Sequence, residues 1–148
     1  MGVIYSHSPE ETEALAFQFA ETLAGGERVG LSGPLGVGKT RFMQVVARAL
    51  PLSEDEPLAS PSYPIINAYP LLTGGTLYHI DLYSLERVED FVEIGGMELF
   101  AALDEKSFVF IEWADRYPEV LAALDWQVAL RESGEAGERE IEIIDLRR

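Results

Sequence analysis

The sequence predicts an α/β fold with central parallel strands and antiparallel edge strands. The first observation is a short apolar segment at 27–32, followed by a glycine-rich turn and by a segment at 40–50 with apolar residues at helical spacing. The second is the run at 108–113, whose first four residues are apolar, as expected of a strand buried on both faces. The third is a pair of alternating segments, 126–131 and 140–146, typical of two antiparallel strands.

The N-terminal part of the chain carries the signals that begin a helix. Ser8 is suited to cap it, Pro9 to occupy its first position and Glu11 to complete a capping box. We expect this helix to run to about Leu23, where a glycine pair ends it. Its buried face is expected to comprise Leu15, Phe17, Phe19, Ala20 and Leu23.

The middle of the chain predicts a hairpin followed by helical segments. Strands are predicted at 65–69 and 77–83, and the glycine-containing stretch 72–76 forms the turn between them. The segment 85–103 is predicted to be helical with an interruption at a glycine pair, and 114–124 to be a loop and a short helix.

Composition restricts the class of protein. The chain has 148 residues, of which 47% are hydrophobic, so we expect one globular domain over 1–148. It contains no cysteine, which excludes disulfides and thiolate metal sites. No apolar run approaches membrane-spanning length and the first residues lack the layout of a signal peptide, so a soluble, cytoplasmic protein is expected. A net charge of −15 opposes independent binding to a nucleic-acid backbone.

The glycine-rich turn at 33–40 fits the phosphate-loop pattern of a glycine, four residues and then Gly-Lys-Thr. Glycines let the backbone bend tightly, so that successive N–H groups point into one concavity and bind phosphate oxygens. Lys39 supplies a mobile positive charge for the β- and γ-phosphates, and Thr40 offers a hydroxyl to Mg²⁺. The sequence thus predicts a P-loop NTPase-like sandwich. The predicted ATP-binding residues are Gly33, Pro34, Leu35, Gly36, Val37, Gly38, Lys39, Thr40 and Arg41.

Two acids stand at the ends of predicted strands, where ligands of such sheets bind. We favour Glu112 as the acid that holds Mg²⁺, directly or through water, together with Thr40. Asp81 would then support the metal or the attacking water, although the two roles could be exchanged. With Lys39, these two acids form the predicted catalytic set.

Other residues near these motifs are interpreted first as structural residues. His79 is interpreted as a core histidine or as support for a site residue, and Trp113 as packing. The proline-rich stretch that contains Ser60 and Ser62 reads on composition alone as a turn. In the alternative interpretation it is a switch segment, in which one of these serines senses the γ-phosphate or the metal.

Four motifs in this order resemble those of the bacterial TsaE (YjeE) family of small ATPases. The stretch 33–40 resembles G-x-L-G-A-G-K-T, 60–63 resembles S-P-T-[FY], 79–83 resembles H-x-D-L-Y, and 111–113 resembles [VI]-E-W. The first motif is common to many nucleotide-binding proteins, whereas the set in this order is specific.

The resemblance implies a function and a partner. It implies ATP hydrolysis that requires both Asp81 and Glu112, and a switch-like role for the segment with Ser60 and Ser62. It also implies action on the TsaB–TsaD heterodimer, whose TsaD subunit transfers a threonylcarbamoyl group to tRNA adenosine. In that interpretation the protein hydrolyses ATP to reset this complex between turnovers and meets tRNA only through it.

The sequence departs from the family pattern at three positions. Ser62 replaces the usual threonine and keeps the hydroxyl. Arg41 stands where a second threonine is common, which removes a hydroxyl contact to the α-phosphate. Ser84 stands where arginine is usual.

Two other functions are compatible with a phosphate loop. A small-molecule kinase commonly clamps the transferred phosphoryl group with several arginines on a lid, whereas the arginines here are few and scattered. A nucleotide-dependent binding switch would bind ATP with negligible turnover. The fate of the γ-phosphate separates the three functions: release to water, transfer to a metabolite, or retention.

Overall fold

The computed structural model describes residues 2–34, 36–51, 66–135 and 137–147. In chain order the elements are β1 (Val3–Ser6), α1 (Pro9–Glu21), β2 (Arg28–Ser32), α2 (Lys39–Arg48), β3 (Ile66–Pro70), β4 (Thr76–Asp81), α3 (Val88–Glu93), α4 (Gly96–Ala102), β5 (Phe108–Glu112), a 3-10 turn (Ala114–Arg116), α5 (Pro118–Leu121), β6 (Trp126–Glu132) and β7 (Arg139–Asp145). Among these helices, none has the length and apolar character needed to cross a bilayer.

The seven strands form one sheet in the order β1-β7-β6-β2-β5-β4-β3. The four neighbours β6, β2, β5 and β4 pair in parallel, whereas β3, β7 and β1 are antiparallel to the strands beside them. The predicted fold class, with central parallel strands and antiparallel edges, is therefore confirmed. Strand β6 was predicted as an antiparallel edge addition, but it lies inside the sheet, where it pairs with β2 as well as with β7.

The central strand β5 is buried along its whole length, as its apolar run predicts. Its side chains alternate between two hydrophobic clusters. Phe108 and Phe110 belong to one cluster with residues of α1 and α2. Val109 and Ile111 belong to the other, with residues of α3, α4 and α5. Helical layers thus cover both faces of the sheet and leave the strand ends available for a site.

Ser8 caps helix α1 as predicted, whereas the Glu11 carboxylate accepts from the backbone N–H of His7 instead of Ser8, and the buried face is different. Ser8 Oγ accepts a hydrogen bond from the Glu11 backbone N–H at 3.1 Å, and the helix ends at Glu21 rather than Leu23. The prediction that Phe17 is buried is wrong, since this residue is 50% exposed. The buried residues Ala16, Phe19 and Ala20 follow the spacing i, i+3, i+4, and Phe17 lies off that stripe.

Candidate nucleotide-phosphate site

The carboxyl ends of three parallel strands bring the predicted site together. In the register of the sheet, Glu112 of β5 is paired with Asp81 of β4 on one side and with Leu31 of β2 on the other. The glycine-rich loop begins directly after Ser32, the last residue of β2. The loop and both acids therefore lie at the same edge of the sheet.

The loop needs glycine at its two ends. Gly33 has φ +141°, and a Cβ atom there would lie 2.3 Å from the carbonyl oxygen of Leu130 on β6. Gly38 has φ +112° and is the residue from which α2 begins. Strand β7 braces the loop, because the Arg139 Nε–H donates to the carbonyl of Val37 at 3.1 Å. Leu35 lies outside the described residues.

A cavity of about 290 Å³ opens between the loop and the strand ends. Its walls combine loop backbone, cationic and hydroxyl side chains of α2, the two acids and two aromatic rings. The lining residues are Gly36, Gly38, Lys39, Thr40, Arg41, Asp81, Tyr83, Glu112 and Trp113.

Lys39 is the buried cation in the wall of this cavity, and the loop itself holds it. The side chain is buried, and Nζ donates to the backbone carbonyls of Gly33 and, at 3.4 Å, of Pro34. The ammonium also lies 3.5 Å from the centre of the Trp113 ring. Burial lowers the pKa of Lys39, while the carboxylates of Glu112 and Asp81 act in the opposite direction. A phosphate group entering the cavity would offer this cation stronger acceptors than neutral carbonyls.

Glu112 is 3% exposed, and each of its two carboxylate oxygens has a partner. Oε1 accepts a hydrogen bond from the Thr40 hydroxyl at 2.8 Å. Oε2 lies 2.8 Å from Nε2 of His79, which is fully buried. Thr40 and Glu112 thus present two hard oxygen donors to the same point of the cavity. This donor set suits Mg²⁺, which is usually held by one or two protein groups together with waters and substrate phosphates.

Asp81 lines the same cavity, and in the sheet it is paired with Glu112. Its Oδ1 accepts a hydrogen bond from the backbone N–H of Tyr83 at 2.9 Å. Burial raises the pKa of Asp81; the Tyr83 hydrogen bond opposes this and the charge of Glu112 adds to it. The two acids therefore have different surroundings, since Glu112 has two side-chain partners and Asp81 is tied to the backbone.

Trp113 lines the cavity and contacts Lys39, whereas the sequence was interpreted as giving it only a packing role. It is the non-glycine residue among those described that has a positive φ, +62°. Such a conformation is uncommon for a bulky residue and concentrates at functional sites. It places the indole over Lys39 and 5.1 Å from the ring of Tyr83, measured between centroids. The sequence feature that could have indicated a site role for Trp113 is its position directly after Glu112, the acid at the end of β5.

Of the remaining predicted residues, one lines the cavity and two lie outside the described part of the chain. Arg41 lies at the rim of the cavity, where its Nε–H donates to Glu13 of α1 at 2.9 Å. Ser60 and Ser62 lie outside the described residues, together with the rest of the proline-rich segment. The structure therefore brings together Lys39, Thr40, Asp81 and Glu112, and leaves the switch-like segment a prediction.

A second cavity of about 170 Å³ adjoins the first. It shares three residues with the first cavity, namely Gly36, Gly38 and Arg41. Its other lining residues come from the start of α1, the loop, the β6–β7 connection and the start of β7: Pro9, Thr12, Val37, Gly137 and Arg139. Sequence reasoning did not single out Arg139, because its part in this site depends on the pairing of β7 beside the loop.

The sheet order and the glycine-rich strand–loop–helix unit define an α/β protein with a P-loop-like fold, which is consistent with nucleotide binding. The family model of the threonylcarbamoyl adenosine biosynthesis protein TsaE matches residues 6–141. The chain therefore belongs to the TsaE family.

Similar proteins agree with this assignment. A protein of Aquifex aeolicus is 35% identical over 109 residues, 74% of each chain, and one of Treponema pallidum is 31% identical over 138 residues, 93% of this chain and 96% of that one. Both are named tRNA threonylcarbamoyladenosine biosynthesis protein TsaE. The crystal structure of YdiB from Bacillus subtilis superposes with a TM-score of 0.65 at 25% identity, covering 98% of this chain and 85% of that one.

Proposed function

We propose that the protein is a Mg²⁺-dependent ATPase that supports threonylcarbamoyl modification of tRNA adenosine by acting on the TsaB–TsaD complex. The observation that carries the ATPase proposal is the convergence of Lys39, Thr40, Asp81 and Glu112 on one cavity beside a glycine-rich loop. Membership of the TsaE family and the names of the relatives support the role in tRNA modification.

The side chains have separable tasks in this proposal. The backbone N–H groups of the loop and of the first turn of α2 bind phosphate oxygens. Lys39 leaves the loop carbonyls and contacts the β- and γ-phosphates. Thr40 and Glu112 hold Mg²⁺, directly or through water; when bound, the ion neutralises charge on the phosphates.

Asp81 orients the attacking water in this assignment. It lines the cavity and is paired with Glu112 in the sheet, so it lies close to the metal-holding residues. Its raised pKa makes its carboxylate a better proton acceptor than an ordinary aspartate. Positioning is nevertheless the main contribution expected, because phosphoryl transfer relies chiefly on orientation and electrostatic stabilisation.

The second cavity is the place proposed for the nucleoside. It continues from the phosphate cavity through Gly36, Gly38 and Arg41, so a nucleotide with its phosphates in one cavity can extend into the other. Thr12 and Arg139 line that cavity and offer a hydroxyl and a planar cation. Replacing Arg139 with alanine should weaken ADP binding but leave pyrophosphate binding unchanged within about twofold, as isothermal titration would show. Equal loss for both ligands would indicate that Arg139 acts through the loop, by its bond to Val37.

The charge of the chain supports action through a protein partner. At −15 the net charge repels the tRNA backbone, so direct contact with tRNA is not part of the proposal. The phosphates of ATP can still be held, because loop N–H groups, Lys39 and Mg²⁺ act at short range.

The test is phosphate release from ATP and Mg²⁺ by the protein alone and with the TsaB–TsaD complex. We expect strong stimulation by the complex, because small NTPases often depend on a partner to complete the site. Glu112→Ala should lose this rate while still binding ATP, whereas Lys39→Ala should lose both. Transfer of phosphate to a metabolite would establish a kinase instead, and ATP binding with no release under either condition would establish a switch.

A further inference from the structure

His79 is buried directly behind Glu112, on the side of that residue away from the phosphate loop. The imidazole has no exposed surface, and its Nε2 lies 2.8 Å from Oε2 of Glu112. The two residues sit on adjacent parallel strands, where His79 of β4 is paired with Phe110 of β5. Their side chains therefore project on the same face of the sheet, two residues apart along β5.

The two oxygens of Glu112 face different groups. Oε1 meets the Thr40 hydroxyl at the wall of the cavity, and Oε2 meets His79 in the protein interior. If Thr40 turned its hydroxyl toward a cation, Oε1 would become available to the same cation or to one of its waters. Oε2 would still have its partner His79, which would keep the carboxylate from rotating.

The hydrogen-bond pattern defines where the imidazole carries its proton. Oε2 of an ionised carboxylate is an acceptor, so Nε2 must be the donor. Nδ1 has no hydrogen-bond partner among the described residues. The arrangement therefore favours a proton on Nε2.

We infer that His79 is a positioning residue: its Nε2–H fixes the carboxylate of Glu112 so that Oε1 points at Thr40 and at the cation that accompanies the nucleotide. This inference rests on the proposed function, because it assigns His79 a task within that metal site. Buried partners that orient metal ligands in this way typically change metal affinity or activity 10–100-fold when they are removed.

An ordinary core histidine would behave differently. Its replacement would lower stability but would leave the affinity for metal unchanged in the molecules that remain folded. Two variants separate these cases. In His79→Gln the amide nitrogen can still donate to Glu112, whereas His79→Met fills a similar volume without a donor. Ile80→Val is the matched control, since Ile80 is the next residue of β4, equally buried and packed in the cluster on the other face.

The primary readout is the affinity for Mn²⁺ in the presence of saturating ADP, measured by electron paramagnetic resonance of free Mn²⁺. ADP affinity with EDTA and the thermal midpoint are measured alongside. We expect His79→Met to weaken Mn²⁺ binding 10–100-fold and to leave metal-free ADP binding within twofold of wild type. His79→Gln should recover most of the Mn²⁺ affinity, and Ile80→Val should change only the thermal midpoint.

A second measurement reads the proton positions of the wild-type chain, and the one variant that it needs, at exposed His7, serves only to assign the signals. The sequence has two histidines, and His7 has a 63% exposed side chain, so His7→Gln assigns both imidazole ¹⁵N patterns. We expect the pattern of His79 to show a proton on Nε2, both in the free protein and with ADP and Mg²⁺. A proton on Nδ1 alone would overturn the inference.

The outcomes distinguish a failure of this inference from a failure of the proposed function. If wild type binds Mn²⁺ with ADP and His79→Met binds it equally well, His79 is a core residue and only this inference is wrong. If wild type shows no ADP-dependent Mn²⁺ site, the proposed metal site is wrong and the inference is overturned with it.

Discussion

Replacing Lys39 with methionine should greatly weaken nucleotide binding without lowering the thermal stability of the nucleotide-free protein. In the free protein Lys39 is 6% exposed, and its ammonium has two backbone carbonyls and the Trp113 ring as partners. Burial lowers the pKa of Lys39, which means that keeping the charged form there is unfavourable. Methionine has a similar length and no charge, so it avoids this penalty while it loses the hydrogen bonds. We therefore expect the thermal midpoint of the free variant to equal or exceed that of wild type.

The effect on nucleotide binding can be calculated. ADP at one hundred times its Kd stabilises a protein by about 2.7 kcal/mol, which raises the midpoint of a chain of this size by roughly 5–11 °C. A charge-assisted hydrogen bond to phosphate contributes about 1.5–3 kcal/mol. A loss near the upper end of that range weakens Kd about a hundredfold, so the same ADP concentration would stabilise the variant by only about 0.4 kcal/mol, or roughly 1–2 °C.

The assay is thermal unfolding of wild type and variant with and without ADP at that fixed concentration. Lys106→Met is the matched control, because Lys106 is the other lysine of the sequence and lies exposed in the turn before β5. The control should keep the full ADP-induced shift. If Lys39→Met also kept it, Lys39 would not contact the phosphates and the assignment of the cavity would be wrong.

Four further predictions concern stability. Burial raises the pKa of Asp81 above its ordinary value of 3.8, so Asp81→Asn should raise the midpoint of the nucleotide-free protein at neutral pH, and the gain should vanish as pH falls through the raised pKa toward 3.8. Asp145→Asn should instead lower the midpoint at neutral pH, because hydrogen bonds with a neighbouring arginine lower the pKa of Asp145 to about 2. This decrease in the midpoint should disappear only as the pH falls to near 2. If thermal scans showed a change of the same sign for both aspartate variants, the two pKa shifts would not have the assigned effects. Gly30→Ala should destabilise by about 1–3 kcal/mol in urea unfolding, because the new Cβ would lie 2.7 Å from Cβ of Ala114, and an unchanged midpoint would show that the 3-10 turn yields easily. Ser8→Ala should cost about 1 kcal/mol in the same assay through the lost cap, unless water replaces that bond.

The predictions that succeeded rest on local patterns with one physical cause. Four consecutive apolar residues in β5 have to be covered on both sides, which places this strand inside a sheet with helices on both faces. Once β2, β4 and β5 are parallel, the acids that end β4 and β5 have to lie at the edge where the loop leaves β2. The meeting of Asp81, Glu112 and the loop could therefore be anticipated without coordinates.

The features that were missed depend on pairing and backbone conformation. Strand β1 has only four residues, and two of them, Val3 and Tyr5, are about half exposed, so no hydrophobic pattern indicates it. The central position of β6 was also missed, because the alternation of apolar and polar residues is the same in an edge strand and in a strand paired on both sides. The contact between His79 and Glu112 requires the register of two strands, and the place of Trp113 over Lys39 requires a positive φ that its residue type does not suggest.

A crystal structure of the protein with ADP and Mg²⁺ tests the central claim most directly. We expect β-phosphate oxygens on the backbone N–H groups of the loop and Lys39 Nζ moved from the Gly33 and Pro34 carbonyls to the phosphates. We expect Mg²⁺ to be held by Thr40 and, directly or through water, by Glu112. Phosphates bound elsewhere, or Lys39 still bonded to its own loop beside a bound nucleotide, would contradict it.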